Sequence, residues 1–91
     1  MLNLIWRDSA ALAVEAIVDY ISEHNLDAAL RLRNSITECA ERVTTHPFMY
    51  RRGRASGTRE AVITPNYLLI YRITTEAVEI ITVIHTRREY P

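Results

Sequence analysis

Residues 57–91 read GTREAVITPNYLLIYRITTEAVEIITVIHTRREYP. Three runs in this stretch are dominated by β-branched and aromatic residues, which is the composition of β-strands. Turn-forming residues separate the runs, first at Pro65-Asn66 and then at residues 74–76. A proline fixes its own φ and has no backbone N–H to donate, so it suits a turn better than a central strand. The stretch therefore predicts a three-stranded antiparallel meander.

The segment before the meander predicts one short strand and two helices. Apolar and polar residues alternate from Leu2 to Arg7 closely enough for a strand. From Ala10 to about Glu23, and again from Leu26 to about Thr45, apolar residues recur every three or four positions. That spacing indicates two amphipathic helices. Because the break between them is so short, we expect an antiparallel helical hairpin.

Capping and stopping residues set the expected ends of the two helices. A short side-chain oxygen can accept hydrogen bonds from the first free backbone N–H groups, so Asp8 or Ser9 is expected to cap the first helix and Asn25 the second. Pro47 is expected to end the second helix, since the residue before a proline avoids the helical region. The expected buried positions are Ala10, Ala13, Val14, Ile17 and Ile21 in the first helix, and Ala29, Leu32, Ile36, Cys39, Ala40 and Val43 in the second.

The element order predicts an α+β fold of the form β-α-α-β-β-β, with the hairpin packed on one face of an antiparallel sheet. At 91 residues the chain is expected to form a single domain. Simple alternation in the last strand places two sets of residues on opposite faces, and both sets are largely apolar. Part of the face away from the helices is therefore expected to meet a partner. The two sets are Val78, Ile80, Thr82 and Ile84 on one face, and Glu79, Ile81, Val83 and His85 on the other.

Charge is distributed unevenly, although the net charge is zero. Residues 1–46 carry four arginines against seven acidic residues, and residues 47–91 carry seven arginines against four glutamates. All eleven basic residues are arginine. The guanidinium group is a planar fork that binds phosphates and carboxylates, so the basic half fits a phosphate ligand or an acidic partner. The alternative is that a GC-rich genome favours arginine codons and that these arginines only solvate the surface of the protein.

Several classes of protein are disfavoured by the sequence. No apolar run approaches the roughly 20 residues that a membrane-spanning helix needs, and the opening MLNLIWRDS makes a poor signal peptide. A single cysteine, Cys39, does not suggest a secreted disulfide framework. Metal-binding Cys/His spacing and Gly-rich phosphate loops are missing from the sequence. We expect a cytoplasmic protein that uses no metal or cofactor.

Four segments carry a resemblance to a known family. They are IVDYISEHNLDAALRL in the hairpin, the HP dipeptide that ends it, GTREAVITPNYLLIYRI across the middle strands, and VEIITVIHTRREYP at the end. In this order and spacing they resemble the RelE/ParE superfamily of toxins, over nearly the full length of the chain. The resemblance implies the toxic half of a bacterial type II toxin–antitoxin module, with a cognate antitoxin as partner.

The resemblance implies one of two targets. RelE-like members enter the ribosomal A site and cut mRNA, whereas ParE-like members poison DNA gyrase. The long helices resemble the ParE branch, but the arginine-rich loop and the closing HTRREY resemble the RNA-cleaving branch. The leading prediction is therefore a ribosome-dependent mRNA endonuclease that acts on ribosome-bound mRNA without a metal. The alternative is a ParE-like gyrase inhibitor with no nuclease activity.

RNA cleavage through the 2′-OH would require a base, an acid and cations around one phosphate. Histidine is the side chain that most readily exchanges protons near neutral pH, which makes His85 the predicted acid or base. Each candidate also has a structural alternative: an ordinary hydrogen bond for His85, a sheet-surface charge for Arg59, and an ion pair with Glu60 or Glu79 for Arg72. The predicted catalytic set is His85, Arg59, Arg72 and Arg87, and the predicted RNA-binding residues are Arg51, Arg52, Arg54, Arg88 and Tyr90.

Overall fold

A computed structural model of the chain describes residues 2–87. The expected β-α-α-β-β-β order and the α+β class are confirmed, and both turns of the meander lie where they were predicted. Arg88 and Tyr90, two of the predicted RNA-binding residues, lie outside the described residues. The elements are β1 (Asn3–Trp6), α1 (Asp8–Ser22), α2 (Leu26–Thr45), β2 (Arg59–Thr64), β3 (Tyr67–Ile73) and β4 (Ala77–His85).

The four strands form one sheet in the order β1-β4-β3-β2. β2, β3 and β4 make the predicted antiparallel meander, with Arg59 opposite Tyr71 and Tyr67 opposite His85. β1 pairs parallel to β4, with Leu4 opposite Val78. The sheet is therefore mixed, and the expectation of a wholly antiparallel sheet is wrong for β1. The helical hairpin connects β1 at one edge of the sheet to β2 at the other edge. The meander then returns across the sheet, so that its last strand, β4, lies beside β1.

The start of α1 differs from the prediction, whereas the start of α2 agrees with it. Asn25 caps α2, its Oδ1 accepting a hydrogen bond from the Ala28 N–H at 3.0 Å. α1 begins at Asp8, so the expected cap at Asp8 or Ser9 is wrong. The carbonyl of Arg7 already accepts the N–H groups of the next helical turn, which places both residues inside the helix. The Ser9 hydroxyl instead donates to the Ile81 carbonyl at 2.8 Å and ties α1 to β4.

The hairpin packs on one face of the sheet and forms the main core. All six predicted positions on α2 are buried. On α1 the burial is shifted: Ala10 and Val14 are buried as predicted, Val18 is buried as well, and Ile17 and Ile21 are only partly covered. The largest fully buried side chain is Tyr71, which lies in the same cluster as Leu69 and the α2 residues.

A β-bulge in β4 reverses the expected alternation of its side chains. Tyr71 pairs with Ile80 and Ile70 pairs with Thr82, so Ile81 is an extra residue between the two pairs. An extra residue exchanges the two faces for everything that follows it. Val83 therefore packs with the helices, whereas Ile84 joins a separate cluster on the other face. The expectation that Thr82 and Ile84 share a face with Val78 and Ile80 is wrong for this reason.

The face of the sheet away from the helices is also apolar. Leu68, Ile70 and Ile84 form a buried cluster there, with Ile81 packed against it. The sequence indicated that both faces would be apolar, and this is confirmed. Within residues 2–87, neither helix is long and apolar enough to span a membrane.

Candidate functional site

His85 lies at the end of β4, opposite Tyr67 in β3. The two rings meet edge to face, with centroids 5.3 Å apart. His85 Nδ1 accepts a hydrogen bond from the backbone N–H of Arg87 at 3.2 Å. The half-buried imidazole lines a cavity of about 380 Å³ against α1, together with Tyr20 and Tyr67. Arg87 makes this contact through its backbone N–H and not through its guanidinium group.

Arg59 lies at the opposite end of the meander, at the start of β2. Its guanidinium donates through Nη1 to the carbonyl of Tyr50 at 2.7 Å and to that of Phe48 at 3.4 Å. The same group lies over the Phe48 ring, 5.3 Å from its centroid. Arg59 therefore holds the chain that connects α2 to β2, which neither of the sequence interpretations anticipated.

Arg72 occupies the other face of the sheet at the same end. It follows Tyr71, which is buried beneath the helices, and successive strand residues point to opposite faces. Its Nε lies 3.8 Å from the position that a Cβ on Gly57 would occupy. The two glutamates suggested as its ion-pair partners bond other arginines: Glu60 pairs with Arg51 and Glu79 with Arg7.

The predicted catalytic residues therefore lie in two groups, His85 with Arg87 at one end of the meander and Arg59 with Arg72 at the other. His85 pairs with Tyr67 across the strands and Arg72 lies five positions further along β3, a separation of about 17 Å at the usual strand rise. Arg59 and Arg72 lie at that far end, and they point to opposite faces. An acid or base must lie within hydrogen-bond reach of the proton it moves, and the cations must meet the same phosphate. The structure does not bring His85, Arg59 and Arg72 together around one atom.

Three of the four predicted RNA-binding arginines, Arg51, Arg52 and Arg54, lie on the segment between α2 and β2, residues 46–58. Arg51 bonds the buried carboxylate of Glu60 through its Nε. Arg52 forms a backbone bridge with Arg59, which extends the sheet edge by one position. Arg52 and Arg54 have exposed side chains. These three arginines therefore sit close to Arg59 and far from His85.

Internal bonds order this segment. The N–H of Gly53 bonds the Thr58 carbonyl at 2.9 Å, and the Thr58 hydroxyl donates to the Ala55 carbonyl at 2.6 Å. Gly57 has a φ of +78°, a left-handed conformation that a glycine adopts without strain. The Tyr71 hydroxyl reaches out of the core and donates to the Pro47 carbonyl at 2.6 Å. The segment is thus attached to the sheet at both of its ends.

Burial determines the electrostatics beneath this segment. It raises the pKa of Tyr71 to about 12, an effect that the nearby Arg59 charge partly opposes. Burial also raises the pKa of the Cys39 thiol. A hydrogen bond with Tyr50 raises the pKa of Arg42. Among residues 2–87, no three His, Cys, Asp or Glu side chains lie close enough to hold a metal ion.

Two residues that the sequence interpretation passed over are conspicuous here. Phe48 and Met49 are 70% and 65% exposed, although both side chains are large and apolar. They precede Arg51 and Arg52 in the ordered segment, with Tyr50 between them. The signal was present in the sequence as an aromatic residue and a methionine set against a run of arginines. Only the positive charge of this stretch was considered in the sequence analysis.

Similarity to known proteins extends over most of the chain. Residues 4–90 match a family described as the ParE toxin of the type II toxin–antitoxin system parDE. A curated protein of Sinorhizobium fredii named "Putative toxin Y4kP" is 33% identical over 87 residues, covering 94% of this chain and 90% of that protein.

Two solved structures share the fold. A chain of the chromosomal ParDE toxin–antitoxin system from P. aeruginosa superposes with a TM-score of 0.82 at 19% identity, over 93% of this chain and 96% of that one. YafQ from E. coli gives a TM-score of 0.67 at 12% identity, over 94% of each chain. At such identities these two likenesses concern the fold alone.

Proposed function

Because the chain belongs to the ParE toxin family of type II toxin–antitoxin systems, we propose that it arrests growth by binding DNA gyrase, with no nuclease activity of its own. One observation carries this choice over RNA cleavage. The residues predicted to carry out cleavage lie at two ends of the sheet, about 17 Å apart along β3. A toxin that works by binding needs an anchored surface rather than a cluster of acid, base and cations.

Two further observations support a binding mechanism. Arg59, which follows the segment between α2 and β2, already bonds two backbone carbonyls of that segment and lies over the Phe48 ring. Arg51 already neutralises the buried carboxylate of Glu60. Cations engaged in this way stabilise the protein, and withdrawing them to hold a phosphorane would break those contacts.

Membership of this family implies a cognate antitoxin as the partner of the toxin. In the proposal the toxin acts in the cytoplasm, where its target is found, until the antitoxin neutralises it. The sheet is apolar on both faces and the chain is polarised in charge. Both features suit an acidic, amphipathic antitoxin segment that folds on binding.

Ribosome-dependent mRNA cleavage is the second candidate function. It is favoured by His85, a half-buried imidazole that lines a cavity and contacts the Tyr67 ring. The exposed side chains of Arg52 and Arg54 could steer a phosphate backbone by charge. In this interpretation His85 would supply the acid or base, and Arg59 and Arg72 would have to reach the phosphate from the other end of the sheet.

Two assays on the purified toxin separate these candidates. The first measures supercoiling by DNA gyrase, and the second measures primer extension on mRNA programmed into ribosomes. We expect the wild-type toxin and His85→Ala to inhibit supercoiling equally and to leave the mRNA intact. The matched control is His24→Ala, which removes an exposed imidazole from the turn between α1 and α2.

Cleaved mRNA would contradict the proposal directly. If cleavage then fell by about 10²-fold in His85→Ala and stayed unchanged in His24→Ala, His85 would be the acid or base of an RNA-cleaving toxin. If gyrase kept its full activity at every toxin concentration, gyrase would not be the target.

A further inference from the structure

The segment between α2 and β2 presents an apolar pair to solvent. Phe48 and Met49 are 70% and 65% exposed, and both lie on a loop rather than in the core. Such side chains can be exposed singly in any protein without meaning. Here, however, the two are adjacent, and specific bonds hold the backbone that carries them.

Arg59 and Tyr71 supply those bonds. Arg59 donates to the carbonyl of Phe48 at 3.4 Å and to that of Tyr50 at 2.7 Å, on either side of Met49. Its guanidinium also covers one face of the Phe48 ring. Tyr71 donates to the carbonyl just before Phe48, that of Pro47, at 2.6 Å. Phe48 and Met49 are therefore held outward by contacts whose donors come from the sheet.

Positive charge predominates around the pair, and the one acidic residue that borders a cavity with Met49, Glu60, is bonded by Arg51. Residues 43–59 contain four arginines and no acidic residue. Phe48, Arg52 and Arg59 border a cavity of about 470 Å³ between the loop and the sheet. An acidic side chain that entered this cavity would meet guanidinium groups. The complementary partner is therefore acidic around an apolar pocket.

The composition favours a protein partner over a nucleic acid. Aromatic residues, methionine and arginine are enriched in the cores of protein interfaces, where lysine is depleted. Nucleic acids are bound by stacking bases on open aromatic faces. One face of Phe48 is covered by Arg59, and Met49 has no aromatic face to offer.

We propose that Phe48 and Met49 anchor the toxin in an apolar pocket on an acidic surface of its target protein, and that Arg59 and Tyr71 are positioning residues for this pair. The inference rests on the proposed function, because it assumes that the toxin acts by binding a protein. Anchors fixed before binding lose less conformational entropy when the complex forms, so the ordered loop increases affinity.

The test compares Phe48→Ala/Met49→Ala with Leu12→Ala, which removes an equally exposed apolar side chain from the distant helix α1. Four quantities are measured for each: the toxin concentration that half-inhibits gyrase, the Kd for the antitoxin, the Kd for a plain DNA duplex, and the Tm. We expect the double variant to need at least about tenfold more toxin, as the loss of interface anchors does. Its Tm and its Kd for the antitoxin should match those of wild type, and Leu12→Ala should match wild type in all four.

The positioning role of Arg59 is tested by a double-mutant cycle. If Arg59 acts through Phe48, then Arg59→Ala and Phe48→Ala should each weaken inhibition and the combined variant should be little worse than either. A residue that only stabilised the fold would give additive losses. Additive losses would therefore overturn the positioning role.

Several outcomes would overturn the proposal that Phe48 and Met49 form the docking surface for the target protein. They are undiminished inhibition by Phe48→Ala/Met49→Ala, loss of antitoxin binding in parallel with inhibition, and a fall in binding to plain DNA in proportion to inhibition. Growth arrest in cells, scored for the same variants, keeps this test separate from that of the proposed function. If wild-type toxin spares gyrase, the proposed function fails. The docking surface also fails if the variants then arrest growth as wild type does.

Discussion

Tyr71 is the residue on which the core and the exposed segment both depend. Its ring is fully buried against α2, its hydroxyl bonds the Pro47 carbonyl, and burial raises its pKa to about 12. An unfolded tyrosine ionises near pH 10. Between about pH 10 and about pH 12 the native state therefore keeps a proton that the unfolded state has lost, and the free energy of unfolding falls as the pH rises.

We predict that this fall is about 1.4 kcal/mol per pH unit above the ordinary pKa, and that Tyr71→Phe removes it. Urea unfolding in a series from about pH 9 to about pH 11 measures the slope. The control is Tyr20→Phe, whose ring is exposed and whose slope should equal that of wild type. Equal slopes for Tyr71→Phe and wild type would show that the Tyr71 hydroxyl is not the group that titrates.

At the scale of single elements, α2 contributes more to the core than α1. Ile36 is 2% exposed in the middle of α2, so Ile36→Ala should lower the free energy of unfolding by about 2–4 kcal/mol, through lost burial and the cavity left behind. Ile17→Ala on α1 should cost less, because Ile17 is only partly buried. Denaturant unfolding checks both values.

Leu30→Ala is the matched control for Ile36→Ala, since Leu30 lies on the same helix but is 49% exposed. It should change stability little. Growth arrest should decline with stability in the Ile36→Ala variant and stay normal in Leu30→Ala. A loss of toxicity in Leu30→Ala at unchanged stability would show instead that the outer face of the hairpin binds a target.

The elements were more predictable than the relations between them. Period and capping chemistry identified α2, its Asn25 cap and all six of its buried positions, because these depend on local residues. The parallel pairing of β1 and the bulge at Ile81 were missed, since neither a strand's neighbour nor a single extra residue changes the apolar pattern. Both are consequences of tertiary packing.

The same limit explains the divided candidate site. His85 and Arg72 were rightly placed on neighbouring strands, but cross-strand register decides whether two residues meet, and here it separates them. The catalytic role predicted for Arg59 stays a prediction. Its bonds to Phe48 and Tyr50 could not be foreseen, because they depend on how the preceding loop folds back on β2.

At the scale of the whole molecule, charge and structure are divided in the same way. The acidic half of the sequence supplies β1 and the helical hairpin, and the basic half supplies the exposed loop and the meander. The apolar pair and three arginines, Arg51, Arg52 and Arg54, lie together on that loop. This arrangement suits a toxin that presents one basic surface to its target.

The most direct test of binding without RNA cleavage is to induce the toxin in cells and follow DNA synthesis and protein synthesis by pulse labelling in the same culture. A gyrase-binding toxin should stop DNA synthesis first, while ribosome-bound mRNA stays intact and labelled amino acids are still incorporated. If protein synthesis stops first, with mRNA cut within ribosomes and DNA synthesis continuing, the account is contradicted.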